Sequence, residues 1–116
     1  MEISKTTLAA GCCSWDGSTL PPFPVGTPKV SVLKIVIPPY TKLPPHSHRM
    51  LNAGVVCRGK LTVVAASGVE KTFSDGDAII EMVGKIHYGE NRGEEPVELI
   101  MFYAGLPGTP LSDPAS

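Results

Sequence analysis

The sequence contains three histidines, and their spacing is the first sign of chemistry. His46 and His48 form an H-x-H pair in the run His46-Ser47-His48-Arg49-Met50-Leu51-Asn52, and His87 and Asn91 follow about forty residues later. Successive side chains of a β-strand point to opposite faces, so residues two apart share a face. His46 and His48 therefore project together, and Asn52 keeps their parity if the strand continues. Two imidazoles on one face and a third from a neighbouring strand can converge on one divalent transition metal, and three histidines with open coordination positions can serve as a catalytic site. Imidazole nitrogen suits iron, zinc, nickel or manganese, so ligand type leaves the metal open. The competing expectation is three surface or turn histidines with no common purpose.

Positioning such a group requires strands, and the chain supplies them. Lys29 to Ile37 is the first, with Val30, Val32 and Val36 on one face and Leu33, Ile35 and Ile37 on the other. Apolar residues on both faces imply a strand covered on both sides, or a sheet that packs on another copy. Pro38-Pro39 ends it, and Thr41 to Pro45 approaches His46. Leu51 to Cys57, Lys60 to Ala66, Val69 to Phe73, Ala78 to Met82, Ile86 to Tyr88 and Val97 to Ala104 read as further strands. Arg58-Gly59, Ser67-Gly68, Ser74-Asp75-Gly76-Asp77, Gly84 and Asn91-Arg92-Gly93 punctuate them as turns. No stretch holds a helical period over ten residues. Short strands at regular spacing mean an all-β sandwich or barrel that must close or dimerise to manage its edges.

Outside this body, residues 1–28 read as an extended N-terminal arm with a short strand near Ile3 to Leu8. Trp15 and Phe23 of this arm are expected to pack on the outside of the barrel. Residues 29–104 form the barrel, and residues 105–116 a flexible C-terminal tail rich in Gly and Pro.

Composition narrows the class. The 116 residues suit one domain with its own core, and twelve Gly and twelve Pro fall at turn positions rather than in runs. Ten basic residues against eleven acidic ones leave a net charge of -1 and no basic block, which argues against nucleic acid. No apolar run is long enough to cross a bilayer as a helix. Leu8-Ala9-Ala10-Gly11-Cys12 has the look of a lipoprotein cleavage site, but the apolar stretch before it is too short for a signal segment. Cys12, Cys13 and Cys57 are odd in number and two are adjacent, a poor disulfide framework that suits a reducing cytoplasm. Cys57 lies off the histidine face and reads as a buried apolar filler.

These motifs resemble those of the cupin superfamily, the small jelly-roll β-barrels. The first family motif is a glycine, five residues, H-x-H, three or four residues, a glutamate, six residues and a glycine. Here Tyr40 stands at the first glycine, His46-Ser47-His48 matches, Asn52 occupies the glutamate position and Gly59 follows in register. The second motif matches at Gly76, Gly84, His87 and Asn91, with Met82 at its proline. The resemblance implies a single-domain, all-β jelly-roll barrel holding one divalent metal (Fe, Zn, Ni or Mn) through His46, His48 and His87, with Asn52 in the fourth place.

An amide there removes a negative charge and offers a neutral carbonyl with two N–H donors, so Asn52 is a candidate ligand-binding residue. Tyr88 and Tyr103 are candidate polar contacts at the mouth, and Glu81 either supports a histidine or faces solvent. Asn91 reads as a structural turn residue. Two functions follow. One is a metal-dependent enzyme acting on a small molecule, with oxygenase-type chemistry foremost. The other is a non-catalytic barrel that captures a small ligand, with or without metal. Either is expected as a homodimer with no nucleic-acid or membrane partner.

Overall fold

The computed structural model describes residues 2–115, and every regular element among them is extended. In chain order the strands are β1 (Lys29–Ile37), β2 (Thr41–Lys42), β3 (His46–Ser47), β4 (Leu51–Arg58) and β5 (Leu61–Ala65). They continue with β6 (Glu70–Phe73), β7 (Ala78–Ile80), β8 (His87–Asn91), β9 (Val97–Gly105) and β10 (Asp113–Pro114). All pairings are antiparallel. One sheet has the order β1-β9-β4-β7; the other runs β10-β3-β8-β5-β6, with β2 pairing along β8 beyond β3. Single β-bulge geometry interrupts β4 between Val56 and Arg58.

The alternation of side chains determines what lies between the sheets. Ile37 of β1, Val56 of β4, Leu61 and Val63 of β5, and Val97, Leu99 and Met101 of β9 are buried in one apolar core. Gly54 is the inward residue between Asn52 and Val56. A Cβ built there would strike the Ile100 carbonyl oxygen and the Met101 sulfur, so only glycine lets β9 lie this close to β4. Asn91, at the end of β8, is buried. Its Nδ2 donates to the carbonyls of Ile37 at 3.1 Å, Pro38 at 3.1 Å and Glu95 at 2.7 Å. It thus fastens the closed end of the barrel, a structural role as the sequence suggested, though as a strand terminus as well as a turn residue.

The two chain ends differ from expectation. Residues 2–10 are exposed and form no strand, so the short strand near Ile3 to Leu8 is absent. Further on, the arm is tied down. A bridge pairs Cys13 with Thr19, the Trp15 N–H donates to the Ile80 carbonyl at 2.9 Å, and the Trp15 ring meets Phe73 edge-on at 6.4 Å. Phe23 does stay outside, 78% exposed. The C-terminal segment, expected as a flexible tail, instead adds β10 to the edge of β3, with Asp113 opposite Ser47 and Pro114 opposite His46. Arg49 grips Asp113 through Nε at 2.8 Å and Nη2 at 3.0 Å. Proline holds the backbone near the extended conformation, so a Pro-rich stretch that lacks helical or hairpin patterning can still serve as an edge strand.

Tyr40 has a φ of +54°, the one positive value outside glycine among the described residues. It stands where the motif has glycine, and an L side chain there costs about 1–2 kcal/mol. Its side chain is 69% exposed and pays little of this back through packing. Replacing Tyr40→Gly should raise stability by about 0.5–1 kcal/mol after the greater freedom of glycine in the unfolded chain is counted. Urea denaturation of Tyr40→Gly beside Tyr40→Ala checks this, because alanine relieves no strain and should give no gain.

Candidate metal centre

The three histidines meet inside the barrel. His46 belongs to β3, His48 follows it by two residues, and His87 opens β8 directly opposite His46. Ring centroids are 4.9 Å apart for His46 and His48, 4.7 Å for His46 and His87, and 5.0 Å for His48 and His87. One ligating nitrogen from each lies within 4.8 Å of the other two. The Gly84 N–H donates to the His48 carbonyl at 2.7 Å, and its φ of +73° turns the chain from β7 back towards His87.

Each ring is held by a backbone carbonyl. Nδ1 of His46 bonds the Pro44 oxygen at 2.9 Å, Nδ1 of His48 the Leu111 oxygen at 2.8 Å, and Nδ1 of His87 the Lys85 oxygen at 2.9 Å. A carbonyl only accepts, so each Nδ1 carries the hydrogen and each neutral ring keeps a lone pair on Nε2. Nε2 of His87 is buried with no hydrogen-bond partner. Three bare imidazole nitrogens turned towards one another, each oriented through its other nitrogen, are what a metal ion requires of a histidine set. Burial pushes the His48 and His87 pKa values below the ordinary imidazole value, against the pull of the Leu111 and Lys85 carbonyls. Both shifts favour the neutral, ligating form. The donor set fits the divalent metal that the sequence implied.

Around the histidines, the expected residues divide. Asn52 is buried and lines the same cavity. Its Nδ2 donates to the Met50 carbonyl at 3.1 Å, and its Oδ1 has no partner. Tyr103 of β9 also lines the cavity, its ring 5.9 Å from that of His48, and burial raises its phenol pKa. Tyr88 is not brought to the site. It follows the inward His87 on β8 and so points outward, where Lys42 Nζ sits 4.1 Å above its ring. Cys57 also requires correction: it points away from the histidine face as expected, but at the rim of the bulge that direction leads to solvent rather than to a second apolar layer.

Of the two places the sequence allows Glu81, site and solvent, it lies in the site. The carboxylate is buried and lines the cavity, with Oε2 3.6 Å from His87 Nε2. Its Oε1 accepts from Trp15 Nε1 at 2.8 Å and from the Met82 N–H at 3.0 Å. Burial pushes its pKa above the usual carboxylate range, against these two bonds. Its parity with the inward Ile79 was the signal in the sequence; Trp15, from the arm, had none.

The rest of the cavity wall is apolar, including Ile35, Leu43, Leu61, Leu99 and Met101. It offers about 60 Å³ to the centres of water-sized molecules. A single water needs roughly 10–15 Å³ by that measure, so there is room for a few small groups beside the histidines.

The cupin domain family matches residues 33–103, more than half of the chain. No curated protein matches the sequence. Among solved structures, the polyketide cyclase RemF from Streptomyces resistomycificus superposes with a TM-score of 0.64 at 17% identity, over 75% of this chain and 61% of that one. A conserved protein with a double-stranded beta-helix domain from Klebsiella pneumoniae subsp. pneumoniae gives 0.63 at 20% identity, over 74% and 70%. Oxalate oxidase in complex with the substrate analogue glycolate gives 0.60 at 21% identity, over 71% and 45%. The chain thus spans 61% of the cyclase and 45% of the oxidase, and at such identities the likeness is one of fold. With the jelly-roll topology, both histidine motifs in place and the family match across the barrel, the chain belongs to the cupin family.

Proposed function

We propose that this barrel binds one divalent transition metal through His46, His48 and His87 and acts on a small molecule in the adjoining cavity, with oxygenase-type chemistry. The observation that carries the proposal is the set of three Nε2 lone pairs converging in a buried pocket, with all three Nδ1 atoms committed to carbonyls. When bound, such a metal supplies Lewis acidity and, if it is redox-active, oxygen chemistry. The chain's own residues do the rest. Tyr103 closes over His48, Asn52 presents an unpartnered amide oxygen as an acceptor for a ligand N–H or O–H, and the apolar wall restricts water. Oxalate oxidase among the structures of the same fold supports redox chemistry in this type of barrel.

Protein purified without chelators or a histidine tag should contain close to one equivalent of metal by elemental analysis, and His48→Ala should lose it. Iron-loaded wild type should then consume oxygen with a small organic substrate, and His48→Ala should show less than a hundredth of that rate. Ligand binding by the metal-loaded protein without turnover, under air and across iron, zinc, nickel and manganese, would instead establish the non-catalytic barrel.

We further propose a homodimer. On the outer face of the sheet β1-β9-β4-β7, Val30, Val32 and Val36 are exposed, next to Ile100 and Phe102. Val32 pairs with Phe102, so exposed apolar groups adjoin across two strands, with the Lys34–Glu98 ion pair lying between them and Val36. Light scattering should give about twice the chain mass of 12.3 kDa, and Val32→Glu should return it to the single-chain value.

A further inference from the structure

We propose that Glu81 is a metal ligand, its Oε2 completing the centre beside His87. This rests on the reading that the three histidines bind metal. The starting observation is a contact between two acceptors. His87 Nε2 carries a lone pair because Nδ1–H is given to the Lys85 carbonyl, and 3.6 Å away stands Glu81 Oε2. The other carboxylate oxygen is already occupied by the Trp15 and Met82 N–H groups, which leaves Oε2 facing the cavity. Two acceptors turned on each other in a buried pocket need a proton or a metal ion between them, and at 3.6 Å, with His87 Nε2 unpartnered, the pair is too far apart to share a proton in a hydrogen bond. No lysine or arginine lines this cavity. A metal ion meets the need, and the 3.6 Å between Glu81 Oε2 and His87 Nε2 is near the separation of about 3.4 Å for two ligand atoms about 2.1 Å from a tetrahedral ion; the carboxylate stands outside the mutually close set of the three histidines, so binding draws it in.

Backbone geometry explains how the acid reaches this place. Glu81 lies just beyond β7, the strand paired with β4, and its N–H donates to the Asn52 carbonyl at 3.0 Å. The two residues are therefore neighbours across the strands, and both side chains line the histidine cavity. The negative charge that Asn52 does not supply comes from the adjacent strand. Trp15 is then a positioning residue. By holding Oε1 at 2.8 Å it fixes the carboxylate plane and aims Oε2 at the centre, and the N-terminal arm becomes part of the site's support.

The test uses zinc and cobalt(II) on the full chain. Competitive titration against a chelator should show Glu81→Gln binding either ion about 10–100-fold more weakly than wild type. Its cobalt absorption bands should shift, with the metal-free far-UV spectrum unchanged. Trp15→Phe should lose part of that affinity, and adding it to Glu81→Gln should cause no further loss, because its effect passes through the carboxylate. Should Glu81→Gln not fold, a crystal structure of zinc-loaded wild type decides without any variant. A Glu81 oxygen at about 2.0–2.2 Å from the ion supports the proposal. A water molecule in that position, with the carboxyl hydrogen-bonded to His87, overturns it, as do equal affinities and identical spectra for wild type and Glu81→Gln. Absence of zinc and cobalt uptake by wild type overturns the metal centre itself and this proposal with it.

Discussion

The three hydrogen bonds from histidine Nδ1 to backbone carbonyls are the constraint on which the rest of the site depends. Burying an imidazole is costly unless one nitrogen is satisfied, and satisfying Nδ1 in every case leaves Nε2 as the free lone pair. The carbonyls come from three separate places: Pro44 ahead of β3, Lys85 ahead of β8 and Leu111 in the C-terminal segment. Each lies where the chain is not occupied by ladder hydrogen bonds, so its oxygen is free to accept. The tight turn at Gly84, the extended approach to β3 and the pairing of β10 with β3 can all be understood as means of placing these oxygens.

This arrangement also explains which features were legible in the sequence. Strand parity is a local rule, and its reach is short: the strand of His46 ends at Ser47, and Asn52 meets the histidines from β4 in the facing sheet rather than by continuing their strand. The same rule, applied to the start of β8, excludes Tyr88, because the residue after an inward His87 must point outward. The fold class followed from turn spacing and two motifs, both of which depend on nearest-neighbour chemistry. What could not be read was the contribution of segments distant in sequence. Trp15 meets Glu81 across sixty-six positions and Leu111 meets His48 across sixty-three. Neither segment carries a periodic pattern, so their roles exist only once the barrel has formed. Cys57 differs from expectation for a related reason. The direction of its side chain was right, but whether that direction ends in core or solvent depends on how many layers cover the sheet.

The two faces of the sheet β1-β9-β4-β7 divide the chemistry of the molecule. The inner face is continuous with the histidine cavity through Tyr103, Met101 and Asn52. The outer face carries the valines of β1 and the side chains of Ile100 and Phe102. Gly54 lies between them: its missing side chain lets β9 approach β4 closely enough for both faces to be formed by the same backbone.

The position of β9 also governs how the barrel can assemble. It lies between β1 and β4 in its sheet, yet it is the last long strand in the sequence. Until β9 arrives, β1 has no hydrogen-bonding partner in that sheet. Pairings between such distant segments form late and slowly, because a long loop must close before any contact compensates for it. During that interval the run Lys29–Ile37, apolar on both faces, presents two unpaired edges to other chains, of which β9 later covers one. Its two lysines, Lys29 and Lys34, sit at the end and the middle of that run, where their charge opposes the stacking of one unfinished chain upon another.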